Sequence, residues 1–249
     1  MSSRQIQISA SEQNLIDSVA ELIIKEAQKA KDNHGYFSIG FSGGSIVKIV
    51  SAGLLNRQAE IDWTTWRVFF CDERYVPLDA ADSNSKAVKD GFLSKVPVKP
   101  EQIFDLNPAL ELSAAAADYS SKVQSVHGSE GLPKFDLLLL GMGPDGHTCS
   151  LFPGHALLDE KDLIVASISD SPKPPPQRIT LTLPVVNNAR VAAFIAAGAG
   201  KAPMVRRVLE PGAGEDILPA GRVQPSDGQL IWYLDGGSAA ELKQPQPNL

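Results

Sequence analysis

The chain has 249 residues, 43% of them hydrophobic and 21% charged, a composition that excludes a disordered or fibrous protein. Its formal net charge of −6 offers no general attraction to nucleic acid or anionic lipid, so we expect neither nucleic acid nor a membrane as a partner. The N-terminal residues lack a signal-peptide core, and Cys71 and Cys149 lack the pattern of a secreted disulfide framework. We therefore expect a cytoplasmic protein with free thiols that folds as one domain over residues 1–249.

The first predicted element is an amphipathic helix. Ser9 and Glu12 have the spacing of a capping box, which closes the N-terminus of a helix with reciprocal hydrogen bonds. Apolar residues then recur at helical spacing, at Leu15, Ile16, Val19, Ile23 and Ala27. Residues 36–41, YFSIGF, predict a strand that leads through a glycine turn into a second helix over residues 45–55.

Further short apolar runs are typical of strands buried on both faces of a sheet. They lie at residues 66–70, 135–140, 162–168, 191–197 and 230–234. Because helical stretches separate most of them, we predict an α/β fold with a mainly parallel, doubly wound sheet and helices on both faces. Binding sites in such folds lie at the carboxyl ends of the strands, so the segments that follow the strands are the candidates for function.

The segment GFSGGS, residues 40–45, follows the first of these strands. Gly43, Gly44 and Ser45 can bring backbone N–H groups close to an anion at the positive end of the next helix, which favours a phosphate site over a plain turn. The same letters match G-x-S-x-G, the nucleophile turn of serine hydrolases, with Ser42 as nucleophile. That alternative requires a histidine late in the chain, but the last one is His155.

The next strand ends in CDERYVP, residues 71–77, where Asp72, Glu73 and Arg74 are adjacent. Arg74 is suited to bind a phosphate or carboxylate with its planar guanidinium group, and the carboxylates are suited to sugar hydroxyls. A structural ion pair at the end of the strand is the alternative. Lys201 in GAGK, residues 198–201, and Arg178, which begins a strand after a proline-rich loop, are two further candidate cations or else solvated charges.

The segment GMGPDGHTCSLFPGH, residues 141–155, is the most informative in the chain. His147 can accept a proton from water near neutral pH, and a carboxylate such as Asp145 can orient its ring. A metal site built from these two residues with Asp72 and Glu73 is disfavoured, because no helix carries paired ligands. We therefore expect neither a metal nor a cofactor.

Five segments together resemble the 6-phosphogluconolactonase family. They are SGGS at 42–45, CDERYVP at 71–77, GMGPDGHTCSLFP at 141–153, SPKPPPQRITLTLP at 171–184 and GAGK at 198–201. The resemblance implies hydrolysis of 6-phospho-D-glucono-1,5-lactone to 6-phosphogluconate in the oxidative pentose phosphate pathway, with His147 activating water and Asp145 orienting it. It also implies a phosphate site formed by residues that include Gly43, Gly44, Ser45, Arg74 and Lys201, with Asp72 and Arg178 as further contacts.

The same resemblance extends to glucosamine-6-phosphate deaminase, which is similar in fold. In the deaminase pattern a glutamate stands five residues after the loop histidine, whereas this chain has Phe152 there, and phenylalanine cannot transfer protons. A non-catalytic sugar-phosphate sensor is a third possibility, disfavoured because we expect no DNA-binding arm or extra domain in these 249 residues, which such sensors usually need. We expect the partner to be a small phosphorylated sugar lactone and the protein to be a monomer or a weak homodimer.

Overall fold

The computed structural model describes residues 4–243 of the chain. The strands are β1 Arg4–Ser9, β2 Phe37–Phe41, β3 Trp66–Phe70, β4 Asp72–Arg74, β5 Leu137–Leu140, β6 Val165–Ile168, β7 Arg178–Leu181, β8 Val191–Ala196 and β9 Gln229–Asp235. The helices are α1 Glu12–His34, α2 Ile46–Asn56, α3 Asn84–Gly91, α4 Leu112–His127, α5 Leu183–Val186 and α6 Ala202–Leu209. No helix within these bounds is long and apolar enough to cross a lipid bilayer.

Six strands form one sheet in the order β1-β9-β8-β5-β2-β3, and every neighbouring pair is parallel. Because parallel strands point the same way, their carboxyl ends meet along one edge of the sheet. The predicted α/β fold with a mainly parallel sheet is confirmed. The loops after β2, β3, β5 and β8 therefore lie close together at that edge.

Side chains of the central strand β5 point alternately to the two faces of the sheet, as the pleat requires. Leu138 and Leu140 join the hydrophobic core that α4, α5 and α6 cover, whereas Leu137 and Leu139 join the core beneath α1, α2 and α3. Burying one such side chain contributes about 1.5 to 3 kcal/mol. A strand whose residues all face a core must be apolar throughout, which explains the run LLLL.

A second, smaller sheet is antiparallel and has the order β4-β7-β6. Cys71 joins it to the large sheet, because the Cys71 N–H donates to Phe41 O at 2.9 Å and the Leu181 N–H donates to Cys71 O at 2.8 Å. The sequence placed a strand at residues 162–168, but only Val165–Ile168 is extended, and it belongs to this small sheet. The small sheet stands beyond the carboxyl end of β3 and brings Asp72, Arg74 and Arg178 to the same edge.

The predicted start of the first helix was wrong. Ser9 is the last residue of β1, an edge strand that pairs parallel with β9, and Ser9 lies opposite Asp235. Helix α1 begins at Glu12, and its N-cap is Ser11, whose hydroxyl accepts a hydrogen bond from the Asn14 N–H at 3.1 Å. The edge strand was missed because it covers only one core, so polar residues interrupt its sequence, RQIQIS.

Candidate active site

A cleft of about 170 Å³ lies at the carboxyl edge of the sheet. It is lined by Ser42, Gly43, Gly44, Ser45, Ile46, Asp72, Arg74, Gly141, Met142, Gly143, His147, Cys149, Arg178, Ile195 and Lys201. The sequence analysis predicted nine site residues. Eight of them line this cleft, and the ninth, Asp145, contacts His147. A larger cavity of about 650 Å³ beside Trp232 has Arg4 as its only ionisable lining residue, so the small polar cleft is the better candidate for chemistry.

The glycine turn after β2 brings the backbone close to a neighbouring side chain. A Cβ atom at Gly43 would lie 1.9 Å from Asn84 Oδ1, so only glycine permits this approach. Gly44 has a φ of 82°, in the left-handed region that glycine adopts without a steric penalty. Helix α2 begins two residues later, and its N-terminal N–H groups meet the cleft, an arrangement that attracts anions.

Glu73, in the acidic segment after β3, has a structural environment rather than a catalytic one. Its side chain is fully buried and accepts hydrogen bonds from the N–H groups of Arg74, Asn84 and Ser85 at 2.7 to 2.8 Å. These bonds tie β4 to the N-terminus of α3. Burial raises the pKa of Glu73, although the backbone N–H groups oppose that change. Glu73 therefore stabilises the fold, unlike its neighbours Asp72 and Arg74, which line the cleft.

Asp72 and Arg74 are the two residues of this segment that line the cleft. Asp72 is buried, and its Oδ2 accepts a hydrogen bond from the Ser150 hydroxyl at 2.7 Å. Arg74 donates from Nη1 to Asp82 O at 2.8 Å, which fixes one side of its guanidinium group. Its Nε is buried without a hydrogen-bond partner among residues 4–243.

His147 and Asp145 form a close pair in the loop after β5. His147 Nδ1 lies 2.5 Å from Asp145 Oδ1, and the loop is closed by a hydrogen bond from the Gly143 N–H to His147 O at 2.9 Å. Burial lowers the pKa of His147, although Asp145 opposes the change. The ring is therefore neutral at pH 7. With its proton on Nδ1 and directed at Asp145, the Nε2 lone pair is available to accept another.

Lys173 contacts both members of this pair, although the sequence analysis did not predict it as a site residue. Its Nζ lies 3.0 Å from Asp145 Oδ1 and 3.2 Å from His147 Nδ1. Burial alone would raise the pKa of Asp145, but hydrogen bonds from His147 and Lys173 outweigh it and lower the pKa to about 2. The only signal in the sequence was a lysine inside the proline-rich loop, and nothing local shows where that side chain reaches.

Lys201 and Arg178 also line the cleft, each with contacts of its own. Lys201 Nζ donates to Met142 O at 2.7 Å, and burial lowers the pKa of Lys201, with Lys173 acting in the same direction. Arg178 is only 3% exposed and donates to the carbonyl groups of Lys173 and Pro175 at 2.9 and 3.0 Å. Much of the Arg178 guanidinium group is thus used to hold the proline-rich loop.

Comparison with known proteins decides the family. The family described as glucosamine-6-phosphate isomerases/6-phosphogluconolactonase matches residues 10–232. The chain belongs to this family. The resemblance predicted from five sequence segments is thereby confirmed.

Several relatives within the glucosamine-6-phosphate isomerase/6-phosphogluconolactonase family are named as lactonases. The 6-phosphogluconolactonases of Rattus norvegicus and Homo sapiens are 46% and 44% identical to this chain, and each comparison covers 96% of this chain and 94% of the relative. The solved structure of 6-phosphogluconolactonase from Trypanosoma cruzi superposes with a TM-score of 0.85 at 25% identity, over 98% of this chain and 99% of that one. A monomeric glucosamine-6-phosphate deaminase shares the fold, with a TM-score of 0.78 at 18% identity.

The family includes isomerases as well as lactonases, and Phe152 occupies the position where the deaminase pattern has its glutamate. The Phe152 ring packs against His147 with ring centroids 4.7 Å apart, and the Arg178 guanidinium carbon lies 5.6 Å from the centroid of the Phe152 ring. An apolar ring next to the imidazole contributes to its burial. It offers no group that accepts or donates a proton in ring opening.

Ser42 lacks the partner that a nucleophilic serine needs. Its hydroxyl is buried and has no hydrogen-bond partner in the described part of the chain, whereas an activated serine hydroxyl is hydrogen-bonded to its base. Residues 4–243 also contain no cluster of three His, Cys, Asp or Glu side chains with metal-binding geometry. Both cysteines are free and buried.

Proposed function

We propose that this protein hydrolyses 6-phospho-D-glucono-1,5-lactone to 6-phospho-D-gluconate, with His147 as the general base and without a metal ion. The observation that carries the proposal is the position of His147, whose Nδ1 contacts Asp145 and which lines a cleft that also contains Arg74 and Lys201. Relatives that bear the lactonase name are 44 to 46% identical over nearly the full chain.

In the proposed reaction, His147 Nε2 takes a proton from a water molecule while the water oxygen bonds to the lactone carbonyl carbon. Asp145 accepts the Nδ1–H hydrogen bond throughout and stabilises the imidazolium ion that forms. The tetrahedral oxyanion then collapses, the ring ester bond breaks, and the imidazolium returns its proton to the departing ring oxygen. A base positioned in this way typically contributes about 100-fold to 10,000-fold to the rate.

The proposed phosphate site lies around the glycine turn. Backbone N–H groups of Gly43, Gly44 and Ser45 at the start of α2 supply hydrogen bonds, and Arg74 and Lys201 supply positive charge. A helix terminus alone contributes only about 0.3 to 1 kcal/mol at an exposed site, so the two cations are needed to hold a dianion against water.

Asp72 and Arg178 are proposed as further contacts of the substrate. The Asp72 carboxylate repels a phosphate group but is suited to accept hydrogen bonds from sugar hydroxyls. Arg178 lies on the same side of the cleft, with its Nη1 4.0 Å from Asp72 Oδ2. These two residues would therefore orient the sugar ring.

Proton release tests the proposed reaction directly. Purified protein is added to freshly prepared 6-phosphogluconolactone at constant pH, and the acid released is corrected for spontaneous hydrolysis. We expect a rate proportional to protein concentration and unaffected by EDTA. Binding without acid release would instead indicate a sugar-phosphate sensor, ammonia released from glucosamine 6-phosphate would indicate a deaminase, and organophosphate labelling of Ser42 would indicate a serine esterase.

The proposal also covers the localisation and the oligomeric state of the protein. We propose a cytoplasmic protein that is a monomer or a weak homodimer and that binds neither nucleic acid nor membranes. The net charge of −6 supports the last part, because it repels both kinds of anionic surface. Light scattering over a range of protein concentrations measures the oligomeric state, and a stable tetramer would contradict the proposal.

A further inference from the structure

Lys173 lies behind the His147–Asp145 pair rather than among the residues that line the cleft. Its ammonium group is 3.0 Å from Asp145 Oδ1 and 3.2 Å from His147 Nδ1, and its side chain is one-third exposed. An ammonium group carries only hydrogen-bond donors. Because Nδ1 also donates its proton to Asp145 Oδ1, one carboxylate oxygen is shared by two donors, one of which bears a full positive charge.

The backbone that carries Lys173 is held by buried groups. Arg178, on β7, donates from Nη2 to Lys173 O at 2.9 Å and to Pro174 O at 3.2 Å, and from Nε to Pro175 O at 3.0 Å. The Ser171 hydroxyl donates to Lys173 O at 2.8 Å and accepts from the Lys173 N–H at 3.3 Å. These bonds hold the Lys173 backbone at a place from which its side chain reaches His147.

We propose that Lys173 is a positioning residue for His147, whose ammonium group holds the Asp145 carboxylate against Nδ1 and places positive charge beside a ring that must be neutral to act as a base. The inference rests on the function proposed above, because it assigns the effect to the same reaction. In this proposal Lys173 acts through Asp145 and His147, and it is not among the residues that line the cleft.

The charge on Lys173 has a definite effect on the ring. The charged groups around His147 come from several elements: Asp145 from its own loop, Asp72 and Arg74 from β4, Lys173 from the proline-rich loop, Arg178 from β7 and Lys201 before α6. Burial is the largest cause that lowers the pKa of His147 and the charge on Lys173 acts in the same direction, whereas Asp145 and Asp72 raise the pKa. Without Lys173, burial would still lower the pKa of His147, but the carboxylate 2.5 Å from the ring would act with less opposition and increase the share of protonated imidazole, which cannot take a proton from water.

The test compares Lys173→Met, which removes the charge and keeps most of the aliphatic stem, with Lys173→Arg, which keeps the charge. The pKa of His147 is measured by NMR titration of the labelled ring, and kcat and KM are measured as functions of pH. For Lys173→Met we expect the pKa of His147 to rise, the acid limb of kcat/KM to move to higher pH, and kcat at pH 7 to fall about 10-fold. We expect the KM of Lys173→Met to stay within about twofold of the wild-type value. We expect Lys173→Arg to keep the acid limb of kcat/KM at the wild-type pH.

The matched control is Lys25→Met, which removes the same charge from an exposed position on α1. It should leave the His147 titration and the activity unchanged. Lys173→Gln provides a second uncharged variant if the methionine variant is unstable in a thermal melt. An equal loss of activity in Lys173→Met and Lys173→Arg, with an unaltered His147 titration, would overturn the proposal and leave Lys173 with a purely structural task.

The two proposals can fail separately. If the wild-type protein leaves the lactone intact, the proposed function is wrong, and the NMR titration of His147 still decides whether Lys173 controls the charge of the ring. If the wild-type protein hydrolyses the lactone but Lys173→Met has the wild-type titration and pH profile, only the inference about Lys173 is wrong.

Discussion

Two of the histidine–aspartate pairs in residues 4–243 lie at opposite edges of the same parallel sheet, and their surroundings differ. His147 and Asp145 follow β5, whereas Asp136 precedes β5 and meets His34, the last residue of α1. In the first pair the ring contacts the carboxylate through Nδ1 and lines the cleft. In the second pair the ring uses Nε2 and packs against Tyr36.

The carboxylates differ as much as the rings do. Asp136 is 2% exposed, and its Oδ2 accepts hydrogen bonds from the N–H and the hydroxyl of Ser38 at 2.9 and 2.8 Å. Arg190 Nε lies 3.2 Å from its Oδ1. This carboxylate joins the starts of neighbouring strands, whereas Asp145 joins a lysine to a histidine. Residue type alone therefore does not distinguish the two pairs, whereas the ring nitrogen that contacts the carboxylate and the edge of the sheet do.

The largest difference between the pairs should appear on replacing the histidines. His147→Asn is expected to lower kcat for lactone hydrolysis by about 100-fold to 10,000-fold, because the variant loses the base. Binding of 6-phosphogluconate, measured by calorimetry, should change little. The matched variant His34→Asn should keep kcat near the wild-type value, and a comparable loss there would erase the distinction between the two pairs.

Replacing the aspartates should separate activity from stability. Asp145→Asn is expected to lower kcat about 100-fold, since an amide neither favours the required tautomer nor stabilises imidazolium. Asp136→Asn should instead lower the free energy of unfolding by about 1 to 3 kcal/mol and leave kcat unchanged, because it weakens a buried set of hydrogen bonds. Denaturant titrations and steady-state kinetics on both variants make the comparison.

The pH dependence of activity tests the state of the cleft histidine. Burial lowers the pKa of His147 below its ordinary value of 6.5, so the base stays neutral as the pH falls through that value. We expect the midpoint of the acid limb of kcat/KM to lie below pH 6.5, as protons occupy Nε2. An acid limb above pH 6.5 would contradict the burial argument.

The smallest effect concerns His127, which belongs to the region around the second pair. Burial lowers its pKa from 6.5 to about 4, and its Nε2 has no hydrogen-bond partner among the described residues. A histidine with a lowered pKa binds fewer protons when folded, so its contribution to stability is complete above pH 6.5 and is lost as the pH falls towards 4. His127→Phe should therefore flatten the decline in unfolding free energy over that range, measured by urea titrations at several pH values.

Local signals in the sequence predicted most of the large sheet and the place of the cleft. Continuous apolar runs marked the strands buried between two cores, and glycine-rich or charged segments marked where they end. The edge strand β1 lacked such a run, and Ser9, which has the spacing of a helix cap, is part of that strand. Only pairing with β9, more than 200 residues away, explains why residues 4–9 are extended.

Contacts between distant segments explain what the sequence could not predict at the site. Glu73 appeared equivalent to its charged neighbours, and only the position of α3 identifies it as a structural carboxylate. Lys173 reaches a histidine 26 residues earlier in the chain, and Arg178 holds the backbone that carries the lysine. The functional roles assigned to the cleft residues remain predictions that the variants above will decide.

The close approach of Gly43 and Asn84 also constrains which residues this protein tolerates at position 43. Asn84 cannot move away, because it is buried and its Nδ2 donates to Asp72 O at 2.9 Å. A randomised library at position 43, selected for growth that depends on this protein, should return almost solely glycine. In a library that varies both positions, larger residues at position 43 should survive only in clones that also carry a smaller residue at position 84. The residues at the two positions would therefore covary.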